Sequence, residues 1–279
     1  MKTKRGFTII EISVAIAIIG LIVTIILVAF NSPGIRQKAS LAKVMEFSQT
    51  AQNIIGDDLI GAWPFENIQN NKTPDMSGYN NEGTIIGAAP TDGVKITAEA
   101  GTGQALDFNG TNNYVTTPFS SFGGAMTFSV WVLRNNNATN DAILGSQSAG
   151  GLLLRAKAGN SADFDFYPNF GQPATALSGG QIGQWFFITL VFDDAADAVK
   201  FYVNGKLTNN VSSTVGWGSG ALMIGADNQT AGNTDFFNGK IDEVRVYSRA
   251  LIISEIQKQY AEGVGKHQEL AAANNMNEK

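Results

Sequence analysis

The chain has 279 residues, 44% apolar and 15% charged, which suits one or two packed domains and excludes a disordered chain. With 19 basic against 24 acidic residues the formal charge is −5, so a broad basic surface for nucleic acid is excluded and no nucleic-acid partner is expected. Cysteine is absent, and the only histidine, His267, lies in a polar C-terminal stretch. Disulfides, thiolate metal sites, cysteine nucleophiles, Ser-His-Asp triads and multi-histidine metal sites are therefore excluded. Carboxylate chemistry, oxygen-ligated cations and binding remain.

Residues 1–6, MKTKRG, carry three positive charges. Phe7 to Phe30 follow as 24 residues that are apolar except for Thr8, Glu11, Ser13, Gly20 and Thr24. As a helix this run is ~36 Å long, enough to cross a ~30 Å hydrocarbon layer. It is too long for an ordinary signal peptide, and no A-x-A site ends it. A simple signal anchor with its basic end inside is one reading. Glu11 argues for another. A carboxylate in an apolar span costs ~2.5–3.5 kcal/mol and takes a partner. No Lys or Arg lies three or four residues beyond it. Cutting between Gly6 and Phe7 creates a new α-amino group, and a neighbouring subunit, shifted along the helix axis, can bring that amine to Glu11. The pairing sets the register of a helical assembly.

The segment KRGFTIIEISVAIAIIGLI resembles the class III leader and N-terminal helix of type IV pilins and pseudopilins. The resemblance implies cleavage after Gly6 by a prepilin peptidase, N-methylation of Phe7 and an assembly role for Glu11. It also implies an inner-membrane, single-pass precursor whose later partners are other pilin subunits in an extracellular filament.

Asn31-Ser-Pro-Gly34 interrupts the helix, since Pro33 lacks a backbone donor. Helical spacing resumes with Leu41, Val44, Met45, Ser48, Gln52 and Ile55, which predicts an amphipathic linker helix within 31–56. From 57 to 260 the pattern changes to short strands and turns. Thr127–Leu133 alternates, and Gln184–Phe192 is nearly all apolar, as in a strand buried on both faces. Val199–Val203 leads into Asn204-Gly205, a two-residue hairpin signal, with Phe201 and Val203 inward and Lys200 and Tyr202 outward. Ser248–Tyr260 reads as a short amphipathic helix, and 261–279 as a frayed polar tail.

The body, about 57–260, resembles the concanavalin A-like lectin/glucanase superfamily in its laminin G-like branch. The matching segments run in order: GAWPFE from Gly61, DMSGYNNEG from Asp75, GQALDFNG from Gly103, FSVW from Phe128, FYVNGK from Phe201 and FNGKIDEVRVY from Phe237. The resemblance implies an all-β antiparallel two-sheet jelly roll that binds glycans or proteins. In related sandwiches an aspartate on the C-terminal strand pairs with an acid near the first strand, and Asp242 and Glu66 match that pattern. They are the expected ligands of a structural Ca²⁺, with backbone carbonyls supplying the rest. Alternatively Asp242 caps a turn and Glu66 is a surface acid. Asp75 and Asn80, in an Asx/Gly turn, are secondary candidates.

A glycosidase needs two carboxylates about 5–5.5 Å or about 6.5–9.5 Å apart. The Glu-x-Asp-x-x-Glu motif of glucanases in this superfamily does not occur here; the nearest pattern, Asp163-Phe-Asp165, reads as a solvated strand face. Trp63, Trp131 and Trp185 fall in strand patterns and read as core. Trp217 in a Gly-rich loop, with Tyr167 and Phe170 in Tyr-Pro-Asn-Phe, are the candidate ligand contacts, though each also suits a loop anchor.

Three functions follow: a minor type IV pilin-like subunit displaying a lectin-like adhesive head, a type II secretion pseudopilin whose head contacts cargo, and a membrane-anchored carbohydrate-active enzyme. The missing catalytic motif disfavours the third, so a non-enzymatic protein is expected. Glu11→Ala is expected to spare membrane insertion and to impair filament incorporation, measured by fractionating membranes against sheared filaments; normal incorporation counts against the pairing.

Overall fold

The computed structural model describes residues 58–87, 95–99, 103–136, 141–146, 152–159, 163–167, 174–176, 182–212, 220–227 and 235–277. The leader, apolar span and linker helix, with Gly6, Phe7 and Glu11, lie outside these residues, as do Phe170 and Trp217. No helix among the described residues is long and apolar enough to cross a membrane.

Strands alternate with short turns. They are β1 (Leu59–Trp63), β2 (Lys72–Thr73), β3 (Gly83–Ile86), β4 (Lys95–Glu99), β5 (Gly103–Asn109), β6 (Tyr114–Thr116), β7 (Met126–Arg134) and β8 (Asp141–Ser146). Then come β9 (Leu153–Ala156), β10 (Phe164–Phe166), β11 (Ala174–Ala176), β12 (Trp185–Asp193), β13 (Ala198–Val203), β14 (Lys206–Ser212), β15 (Leu222–Ile224) and β16 (Asn238–Tyr247). A single long helix, α1 (Ile253–Asn277), follows. Sheet A has the order β14-β13-β12-β7-β16-β5-β4, with β1 also paired to β16. Sheet B has the order β11-β10-β9-β8-β15-β6-β3-β2. The strand pairs within both sheets are antiparallel, and the two sheets form a β-sandwich consistent with a jelly roll.

Side-chain alternation explains why sheet A sits between two apolar layers. Phe128, Val130 and Val132 of β7 and Phe186, Ile188, Leu190 and Phe192 of β12 join the core between the sheets. Their neighbours Trp131, Phe187 and Val191 join a second cluster on the opposite face, with Tyr202, Tyr247 and Ile256. The nearly unbroken apolar run of β12 is thus a strand covered on both sides, as its sequence predicts. The β13–β14 hairpin also matches expectation. Asn204 and Gly205 take φ of 52° and 72°, the left-handed pair that a tight two-residue turn requires. Phe201 and Val203 face the main core, while Tyr202 faces the second cluster and is buried there.

The C-terminal region departs from expectation. The helix begins at Ile253, not Ser248, and continues through residues 261–277, which were expected as a frayed tail. Its start is clamped. Arg249 bonds Asp58 at 2.7 Å and Glu255 through two nitrogens at 2.8 and 2.7 Å, while the Ile252 N–H donates to Glu255 at 3.0 Å. The continuation has a packing reason. Ile256, Tyr260, Gly263, Val264 and His267 recur at helical spacing and turn toward sheet A. Tyr260 and His267 stack on Trp131, at ring-centroid distances of 5.7 and 4.0 Å.

Gly263 makes this approach possible: a Cβ there would lie 2.6 Å from Trp131 Nε1. Gly263→Ala is expected to lower stability by about 1–2 kcal/mol, because overpacking against a ring held on both sides exceeds the helix-propensity gain. Gly265, exposed on the same helix with nothing within 4 Å of its virtual Cβ, is the control. Gly265→Ala is expected to raise stability by up to about 1 kcal/mol in urea unfolding. Equal effects at the two positions would contradict the packing argument.

Candidate functional site

Two charged clusters lie on the sandwich. The first is under the C-terminal helix. After β1 the backbone turns left-handed at Phe65 (φ 55°) and Asn67 (φ 57°), flanking Glu66. The Glu66 carboxylate accepts a 3.0 Å bond from the Gln104 N–H. In β16 a bulge lies between Asp242 and Arg245, with Glu243 at φ 48°. The extra residue resets the alternation: Ile241 and Val244 both face the main core, and Asp242 and Glu243 are both released toward the helix side.

Lys266 reaches into this group. Its ammonium lies 2.8 Å from Asp242 Oδ2 and 3.3 Å from both Glu66 Oε1 and Glu243 Oε1. Arg245 adds a 3.1 Å bond to Glu243. His267 Nε2 lies 3.1 Å from Asp242 Oδ2 and Nδ1 lies 2.8 Å from the Gly263 carbonyl oxygen. Both ring nitrogens thus face oxygens. That ring lies nearly parallel to Trp131, at 7°, and edge-on to Trp185 at 4.7 Å.

Burial and charge compete at each group. Burial raises the Glu66 pKa, and neighbouring Lys266 only partly opposes it. Burial also works against Glu243 ionisation, but Lys266 and Arg245 outweigh it and bring the pKa down to about 2. For Lys266, burial disfavours the charge, yet Asp242, Glu243 and Glu66 hold its pKa above the ordinary lysine value.

Glu66 and Asp242 therefore do come together, and neither is a surface acid: they are 4% and 0% exposed. The cation between them is the chain's own ammonium. Ca²⁺ draws about 6–8 oxygen ligands to about 2.3–2.6 Å. With Lys266 bonded to Glu66 Oε1 and Asp242 Oδ2, these residues do not fit a divalent ion. Asp75 acts as a turn organiser. Its two oxygens accept from Ala62 N at 2.9 Å, Ser77 N at 2.9 Å, Ser77 Oγ at 2.8 Å and Asn81 N at 2.9 Å. Asn80 takes the left-handed position (φ 60°) in that turn.

The second cluster is on sheet B and contains Tyr167, the one candidate ligand contact among the described residues. The Arg155 guanidinium lies over the Tyr167 ring, 4.3 Å from its centroid, and donates to its hydroxyl. The same group lies 3.8 Å from Asp165 and 4.0 Å from Asp235, and Lys157 lies 3.9 Å from Asp165. Asp163 and Asp165 are buried, at 8% and 2% exposure, so the expected solvated strand face is not what forms. Asp165 lies between two cations, and Asp163 lies in the field of Arg134. That guanidinium is fully buried; burial lowers its pKa, and Asp141 and Asp163 oppose the shift. Tyr167 and its charged neighbours form a mixed-charge, partly exposed surface, with 18% of the Arg155 side chain and 44% of the Lys157 side chain accessible.

Sequence reasoning missed Lys266, His267, Glu243 and Arg155. A signal for the first two was present: the spacing from Ile256 through Tyr260, Gly263 and Val264 to His267 extends the apolar helix face past Tyr260.

Stacked antiparallel sheets around one shared core put the body of the chain in the class of lectin-like β-sandwiches. Residues 109–257, more than half of the chain, match the family model described as the "Concanavalin A-like lectin/glucanases superfamily", and the chain belongs to that superfamily. Residues 1–27 match the model of the prokaryotic N-terminal methylation motif. No curated protein sequence matches the chain.

Among solved structures, Domain 4 of AbnA, a GH43 extracellular arabinanase from Geobacillus stearothermophilus, in complex with arabinotriose, is similar at 23% identity. The match covers 72% of this chain and 97% of that one, with a TM-score of 0.55. The binding domain of Paraclostridial Mosquitocidal Protein 1 is similar at 16% identity, covering 73% of this chain and 52% of that one, with a TM-score of 0.54. The receptor binding domain of botulinum neurotoxin D is similar at 15% identity, covering 75% and 53%, with a TM-score of 0.56. The chain spans about half the length of these toxin domains. At these identities the likeness is one of fold.

The first cluster is expected to show itself in acid. Glu243 ionises at about 2 in the folded chain against an ordinary 4.5. Its contribution to stability is therefore complete above about pH 4.5 and is lost as the pH falls toward 2. Glu66 has the opposite sign: its pKa is raised, so the folded state takes up that proton before the unfolded one does. Urea unfolding across this range is expected to show a shallower acid loss in Glu243→Gln than in the native chain; identical slopes would contradict the assignment.

Proposed function

We propose that this protein is a type IV pilin-like subunit, a minor one, that displays its β-sandwich outside the cell to bind glycan or protein. One observation carries the reading: a single chain joins a match to the N-terminal methylation motif at residues 1–27 to a lectin-like sandwich. Prepilin peptidase cuts after Gly6, Phe7 is N-methylated, and the apolar helix leaves the inner membrane to pack with other pilin subunits. Glu11 then pairs with a neighbour's new terminus. The head binds without catalysis, with Tyr167, Trp217 and Phe170 as contacts.

Three of the similar structures support a binding role by their own descriptions: two are a binding and a receptor binding domain, and one holds arabinotriose. The Tyr167 surface supports it chemically, since an aromatic ring beside fixed donors and acceptors suits a sugar face and its hydroxyls.

Mass spectrometry of protein from its native host is expected to find a chain that starts at methylated Phe7. Intact chains that start at Met1 would overturn the pilin reading, and mature chain found only in the envelope, never in sheared filaments, would favour the secretion pseudopilin. Binding of the full chain to a glycan array is expected to weaken about tenfold in Trp217→Ala and in Tyr167→Ala, a loss of about 1.4 kcal/mol each. Unchanged binding in both variants would remove these residues as contacts.

A further inference from the structure

We infer that Lys266 replaces a divalent cation in this sandwich: the C-terminal helix carries into the Glu66–Asp242–Glu243 cluster the positive charge that these carboxylates require. Three acids from two distant places in the chain, Glu66 after β1 and the adjacent Asp242 and Glu243 of β16, converge on one ammonium, at 3.3, 2.8 and 3.3 Å. Their side chains are only 5%, 0% and 9% exposed. Carboxylates buried together repel one another and need a cation among them. A metal ion would have to be captured from solution. Here the cation is tethered to a helix that docks for apolar reasons of its own, with Gly263 against Trp131 and His267 stacked on the same ring. Docking brings the charge, and the charge closes the cluster over the docked helix.

The replacement has two consequences. The native chain keeps its fold without divalent ions. Removing the ammonium leaves a group competent to hold one: oxygens of Asp242 and Glu243 and a ring nitrogen of His267 all lie within 4.8 Å of one another, and Glu66 faces the vacated position from 3.3 Å.

The test uses the full chain in detergent, with Ca²⁺ as the probe. In the native chain, neither millimolar Ca²⁺ nor a chelator is expected to move the thermal midpoint, and calorimetric titration is expected to show no binding. Lys266→Ala is expected to unfold at a lower temperature, to recover part of that loss in Ca²⁺, and to bind Ca²⁺ at least tenfold more tightly than the native chain. Adding Glu66→Gln to Lys266→Ala is expected to abolish the recovery, which a merely structural lysine would not predict. Lys266→Met, which keeps the apolar stem, serves if the alanine variant does not fold. A native midpoint that falls with chelator, stoichiometric Ca²⁺ in the purified native chain, or folded Lys266 variants with no gain in Ca²⁺ affinity would each overturn the inference. The native-chain measurements decide it even if no variant folds.

Discussion

Burying three carboxylates at one point is costly unless positive charge meets them, and in this protein the one cation that touches all three comes from α1. Lys266 is placed by α1, α1 is placed by the second apolar cluster, and the acids are placed by the turn after β1 and the bulge in β16. Each part therefore depends on the others. The bulge, with a non-glycine residue at φ 48°, is tolerable because both acids it releases find partners. The helix extends through an otherwise polar stretch because Lys266 and His267 have partners in the sheet.

This arrangement gives sheet A an unusual position for a sandwich sheet. Its central strands lie between the main core on one face and the second apolar cluster, which includes Ile256 of α1, on the other, so β7 and β12 have no solvated side. Sheet B carries the second charged cluster. Its charged surface around Arg155, Asp165 and Tyr167 is held together by ion pairs and a cation–π contact, and it is partly open to solvent. The division of labour is physical. A face sealed by a helix cannot receive a ligand, whereas one with fixed donors, acceptors and an aromatic ring can.

The export signal and the head answer different constraints. In the function proposed above, the N-terminal run meets first a bilayer and then a helical assembly, through its apolar length and Glu11 respectively. The head, in the same proposal, has to remain folded outside the cell. A built-in ammonium serves that purpose, because it frees the fold from the divalent-ion supply of its surroundings.

Much of this was legible in the residues themselves. Period-2 alternation marked β7, the apolar run marked β12 as covered on both sides, and Asn204-Gly205 marked a tight hairpin, because these are local rules of backbone and side-chain direction. The pairing of Glu66 with Asp242 was also legible, but only from family resemblance, since 176 positions separate them. The identity of the cation between them was not. Lys266 and His267 look like solvated residues in a polar stretch; helical spacing puts Gly263 and His267 on the face of Ile256 and Tyr260, but that this face docks on Trp131 is a contact between distant parts of the chain. Likewise Asp163 and Asp165 read as a solvated face until Arg134, Arg155 and Lys157 are brought beside them. The sequence by itself determined the N-terminal methylation motif, the strands named above, the hairpin and the superfamily, because these rest on local periodicity and motif. Only the tertiary structure decided which charges are buried and what neutralises them, because that depends on groups brought together from distant parts of the chain.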